Sequence, residues 1–129
     1  MRRARPKRLA EERVVDSAGR ATHIYINPIK ADRADEWESF TRSVIVPVVA
    51  SQRPEFLDRV RLLRAEGQEE GVTMFAFVFD GGDIDDYDLG PLLAAEYGEQ
   101  EGPQRLQEWQ DMFARDQYGW TFHDVSLRD

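Results

Sequence analysis

The residues of this chain best suited to chemistry are two histidines, an asparagine and a tyrosine. His23, Tyr25 and Asn27 alternate within THIYINPIK, and His123 lies in WTFHDVSL near the other end. Imidazole has an unperturbed pKa near neutrality, so two of them can accept and donate a proton at working pH. An amide such as Asn27 can hydrogen-bond a substrate oxygen and stabilise developing enolate charge. Tyr25 can donate to a phenolic or quinone oxygen, or pair with an aromatic neighbour across a sheet. The plainer readings are histidines hydrogen-bonded in place and a polar turn residue ahead of Pro28. A metal would need further ligands; Asp124 alternates away from His123 and Asp80 closes a strand, so no metal site is expected.

Other chemistries are excluded or unsupported. The 129-residue chain has no cysteine, which removes disulfides, thiolate metal sites and cysteine nucleophiles. There is no G-x-S-x-G elbow, no glycine-rich phosphate loop and no H-E-x-x-H, so serine hydrolases, nucleotide-binding proteins and zincins have no motif here. The acidic stretch Asp83, Asp85, Asp86, Asp88 lacks the spacing and terminal glutamate of an EF-hand and reads as a solvated loop. Formal charge is −8, with seven basic residues and three acids in the first twenty positions, so the remainder is strongly acidic and ill-suited to nucleic acid. Neither a signal peptide nor a membrane-spanning run is expected, which makes the cytoplasm the default location.

The elements that must position these residues follow from periodicity. Residues 1–21 are rich in arginine and alanine with little apolar pattern, and read as a basic, flexible extension; residues 22–129 form one α+β domain. Thr22 to Ile29 alternates as a strand. Asp32 can cap a helix bearing Asp35 and Glu36 in its first turn and Trp37, Phe40, Val44 and Val48 on its apolar stripe, with a kink or early end at Pro47. Phe56 to Ala65 reads as a second strand with a basic side, Val72 to Asp80 as a central strand, and Trp120 to Leu127 as a fourth. Between the last two, Leu89 to Tyr97 and a second piece bearing Leu106, Trp109, Met112 and Phe113 make a helix broken at Gly98–Gly102.

This βαββαβ order implies the strand sequence 4-1-3-2 in space, with both helices on one face of the sheet. If Ile24 and Ile26 pack against the helices, His23, Tyr25 and Asn27 turn to the helix-free face. That face would also bear Phe75, Phe77 and Phe79 or else Met74, Ala76 and Val78, too apolar to stay in water, so a second subunit or a ligand should cover it.

The strand HIYINPIK, the acid-capped helix with Trp37 and Phe40, the RPEFLDRVRLLRA turn, VTMFAFVFD and the final WTFHDVSL together resemble the dimeric α/β-barrel superfamily, antibiotic-biosynthesis-monooxygenase-like proteins among them. The resemblance implies a ferredoxin-like fold with a four-stranded antiparallel sheet, pairing as a homodimer into a barrel. It also implies a cavity for a small apolar or aromatic ligand. Activities in that superfamily include cofactor-independent oxygenation of polyketide anthrones, haem degradation and polyketide cyclisation. The haem-degrading branch wants an axial histidine on the second helix, and this chain has none there, so no cofactor is expected.

Two functional expectations result. In the first, a cofactor-independent monooxygenase acts on an aromatic or polyketide-type substrate, with His23, Asn27 and His123 catalytic and Tyr25, Arg61, Phe75, Phe77 and Trp109 binding it; a cyclase is its near neighbour. In the second, the dimer is a non-catalytic binding or interaction module whose cavity is filled by side chains.

Overall fold

A computed structural model of the protein describes residues 21–125 and 127. Apart from Ala21, the basic extension expected over residues 1–21 lies outside the described residues. Strand β1 (Thr22–Lys30) is central: β3 (Val72–Asp80) pairs with it along its whole length and β4 (Tyr118–Phe122) on its other side, both antiparallel. The shorter β2 (Val60–Arg64) adds antiparallel to β3, giving the order β2-β3-β1-β4, the one expected from the order of elements. Gly119 permits the close β1–β4 approach, since a Cβ there would run into the Ile24 carbonyl oxygen and the Tyr25 ring.

The first helical arm comprises α1 (Ala34–Phe40), a π-helical turn (Thr41–Ile45) and α2 (Val46–Gln52). Of the kink or early end expected at Pro47, the early end does not occur: the helix runs on to Gln52. The proline sits in the first turn of α2, where a missing N–H matters least, and the widened π turn just before it absorbs the mismatch. Asp32 lies inside a short 3-10 turn, Ala31–Arg33, and no side-chain hydrogen bond caps α1. The second arm, α3 (Leu89–Gln110), breaks at Gly98, whose φ of 95° is open to glycine at little cost. Its two pieces press so closely that a Cβ on Gly102 would stand 2.7 Å from Ala94 Cα.

Strand limits depart from expectation in two places. Pro54–Arg59 is a 3-10 turn, so β2 starts only at Val60. β4 runs from Tyr118 to Phe122, earlier than the expected Trp120–Leu127.

The largest correction concerns the faces of the sheet. Tyr25 and Ile29 of β1 and Phe75, Phe77 and Phe79 of β3 point into the core formed with the helices, while Ile24 and Ile26 point away. The aromatic content of β3 explains the inversion. Three phenylalanines in register bury far more apolar area against the helices than Met74, Ala76 and Val78 would, and β1 must follow the phase of its neighbour. Trp37 anchors this layer, fully buried, 4.6 Å from the Phe75 ring centroid and stacked on Trp109 at 5.6 Å. The opposite, open face presents Tyr118, Trp120 and Phe122 from β4 beside Ile24, Ile26 and Val78, and Leu63 from β2. Trp120 and Phe122 are 51% and 50% exposed.

Candidate functional site

Between sheet and helices lies a cavity of about 290 Å³. Tyr25, Phe77 and Phe79 form its sheet wall. Ile45 and Val49 from the first arm and Leu92 and Trp109 from the second form its helix wall. Asp88, Gln110 and Gln117 contribute polar side chains beside the hydroxyl-bearing Tyr25 and Tyr87, and no lysine, arginine or histidine lines it. Ile45 of the π turn and residues of α3 from both sides of Gly98, Leu92 before it and Leu106 after it, line this space. Thr41, at the start of the π turn, accepts a 3.0 Å hydrogen bond from the Trp109 indole and so ties the two arms together across it.

Asn27 lies directly behind the wall, fully buried and without a bare polar atom. Its Nδ2 donates to the Tyr25 carbonyl at 3.1 Å and more weakly to the Phe75 carbonyl at 3.4 Å, and its Oδ1 accepts from Gln117 Nε2 at 2.7 Å. Gln117 is the residue that sequence reasoning missed. It sits in an unpatterned loop ahead of β4, and the only signal for it was that a buried asparagine needs a partner.

His23 is also fully engaged. Its Nε2 lies 2.8 Å from the Gly82 carbonyl, which can only accept, so Nε2 carries the proton; Nδ1 lies 2.8 Å from the Thr121 hydroxyl. The imidazole thus braces the turn after β3 against β4. Beside it Tyr87 donates to the Gly81 carbonyl at 2.8 Å, and burial pushes its phenol pKa above the ordinary tyrosine value despite the nearby Arg59 guanidinium.

The residues singled out from sequence therefore separate. Tyr25, Phe77 and Trp109 meet in the cavity wall, with Asn27 one hydrogen bond behind it. Phe75 packs on Trp37 in the core rather than in the wall. Arg61 pairs with Val78 and belongs to the open face, away from the cavity. His23 stands opposite Thr121, not His123. His123 follows the end of β4, and its buried ring nitrogens have no hydrogen-bond partner among the described residues. With neither histidine in the wall, the cavity offers no imidazole to an iron porphyrin. The acidic stretch acts locally: Asp83 caps the 3-10 turn Ile84–Tyr87, and Asp88 accepts from Gly90 N at the start of α3. Among the described residues no three His, Cys, Asp or Glu side chains converge on a point, and no helix is long and apolar enough to cross a membrane.

This architecture defines a ferredoxin-like α+β domain, and solved structures share it. A NIPSNAP family protein from Agrobacterium tumefaciens superposes with a TM-score of 0.55 at 8% identity, over 84% of this chain and 88% of that one. A Caulobacter crescentus protein assigned by name to the antibiotic biosynthesis monooxygenases superposes with a TM-score of 0.52 at 16% identity, over 85% and 93%. At such identities the likeness is one of fold. No family model and no curated protein matches the sequence.

Proposed function

We propose that two copies of this chain join through their open sheet faces into a dimeric α/β barrel, and that each binds a small, largely apolar, aromatic-type molecule in its inter-layer cavity. The observation that carries the binding reading is the cavity itself: apolar side chains from sheet and both helical arms, with one amide held in place at its wall by a buried partner. Pairing is supported by the aromatic strip Tyr118, Trp120, Phe122, whose cost in water is removed if a second sheet covers it.

The name of the Caulobacter relative supports a finer reading, cofactor-independent oxygenation of an aromatic or polyketide-type substrate. Such chemistry asks the protein to remove a proton from carbon and stabilise the resulting enolate. Tyr25 and Gln117 in the wall and the Asp88 carboxylate are the groups placed for it. His23 and Asn27 serve this reading through the neighbours they hold. The second reading, binding without catalysis, is favoured by that same engagement of His23 and Asn27.

Oxygen uptake with anthrone as probe separates them. Consumption that depends on the protein and disappears when Val49→Trp fills the cavity supports oxygenation. Binding of anthrone without oxygen uptake supports the binding module. Absence of binding in a folded wild-type protein contradicts the cavity reading.

A further inference from the structure

The hydrogen-bond logic behind the cavity wall constrains the polar chemistry of the ligand. Asn27 faces two backbone carbonyls, which can only accept, so its Nδ2 must lie on that side and its Oδ1 on the other. The group that meets Oδ1 must then be a donor, which sets the flip of Gln117 with Nε2 inward. Two amides are thereby oriented by one pair of main-chain groups. Gln117 is left with its carbonyl Oε1 and one remaining N–H, and neither has a partner among the described residues. A glutamine this well buried, 6% exposed, retains unused hydrogen-bonding capacity only where something else can meet it, and its side chain forms part of the cavity wall.

Charge narrows the choice further. With no lysine, arginine or histidine in the wall and the Asp88 carboxylate at its edge, an anionic ligand would lose its hydration without gaining a counter-charge. A carboxylate or phosphate also only accepts hydrogen bonds and leaves Oε1 unmet. A neutral hydroxyl both donates and accepts at a single atom, which suits an adjacent carbonyl and N–H.

We infer that Gln117, oriented by Asn27, is the specificity-determining residue of the cavity, selecting an apolar ligand with a neutral hydroxyl group and rejecting its carboxylate counterpart. The inference rests on the cavity being the binding site. Gln117 makes the contact, and Asn27 is a positioning residue.

The test is a matched series, naphthalene, 2-naphthol and 2-naphthoate, titrated at pH 7 into the full-length wild-type protein and into Gln117→Met, a substitution of similar volume. In the wild type 2-naphthol binds about tenfold more tightly than naphthalene, the gain of one well-made hydrogen bond, and 2-naphthoate binds more weakly than either. In Gln117→Met the ratio of 2-naphthol to naphthalene affinity falls to about one. Preferential binding of 2-naphthoate by the wild type, or a 2-naphthol advantage that survives in Gln117→Met, overturns the inference and leaves the cavity standing as a binding site. If none of the three binds the wild type, the cavity reading falls and the inference with it. The wild-type series decides the charge preference even if the variant fails to fold.

Discussion

The two faces of the sheet are built on opposite principles. On the covered face large aromatic rings are sealed against the helices, and His23, Asn27 and the Trp109 indole all have hydrogen-bond partners. On the open face the side chains are as apolar, but Tyr118, Trp120, Phe122 and Leu63 stand substantially in water. Apolar character alone does not distinguish a core from an interface. The difference lies in coverage: the helices keep the rings of the covered face from water, while the aromatic strip of β4 on the open face, beside Arg61 of β2, has none of the described residues over it.

Perturbing the covered face should cost the most. Trp37→Ala removes a fully buried ring in contact with Phe75, Phe77, Trp109 and Phe113, and should lower unfolding free energy by about 3–5 kcal/mol. Urea denaturation would measure it, and a loss below about 1 kcal/mol would mean that the ring is not in a packed core.

Next comes Asn27→Leu, which removes the acceptor of the buried Gln117 Nε2 and two side-chain donations to strand carbonyls, and should cost about 1–3 kcal/mol. Adding Gln117→Leu should recover part of that loss, because removing both partners leaves fewer orphaned groups. A double variant as unstable as the sum of the two singles would show that the amides do not act together.

At the rim of the covered face the effect shrinks. Arg64 bridges Asp35 at 2.9 Å and Glu38 at 2.8 Å, and with Arg42 it holds the Glu38 carboxyl below its usual value of 4.5. The contribution of a carboxyl with a lowered pKa is complete above its unfolded pKa and is lost as pH falls through the folded value. Arg64→Ala should therefore cost about 0.5 kcal/mol near neutrality and nothing in strong acid. An equal cost at both extremes would assign the role of Arg64 to its packing over the Phe75 ring, 5.3 Å away.

On the open face the smallest change in subunit stability should accompany the largest change in assembly. Trp120→Glu should leave the unfolding free energy of the isolated subunit within about 0.5 kcal/mol of wild type, while light scattering shows monomers in place of dimers. A wild-type chain that is itself monomeric at micromolar concentration would remove the barrel from the account.

Much of this arrangement was legible from sequence, and the exceptions have physical causes. The strand order, the limits of β3 and the break at Gly98 followed from periodicity and glycine placement. The phase of β1 did not, because Ile24 and Ile26 on one side and Tyr25 and Ile29 on the other give two apolar faces, and only Phe75, Phe77 and Phe79 across the ladder decide between them. Seen alone, histidine and asparagine suggest a solvent-facing side. In the folded chain His23 is held by Thr121 and Gly82, and Asn27 by Gln117 and two carbonyls, partners too distant in sequence for any local pattern to reveal. Tyr25 was expected on the helix-free face, and its place beside Phe77, Trp109 and Gln117 around one cavity depends on the phase of the sheet, which no local pattern carries.

The three tryptophans report separately on the places that matter: Trp37 in the core, Trp109 in the cavity wall and Trp120 on the open face. Their indole N–H resonances, followed by proton–nitrogen NMR during a 2-naphthol titration, test the central claim most directly. The account predicts that ligand moves the Trp109 signal and leaves Trp120 in place, whereas movement of Trp120 with Trp109 unchanged would put the ligand on the open face and contradict it.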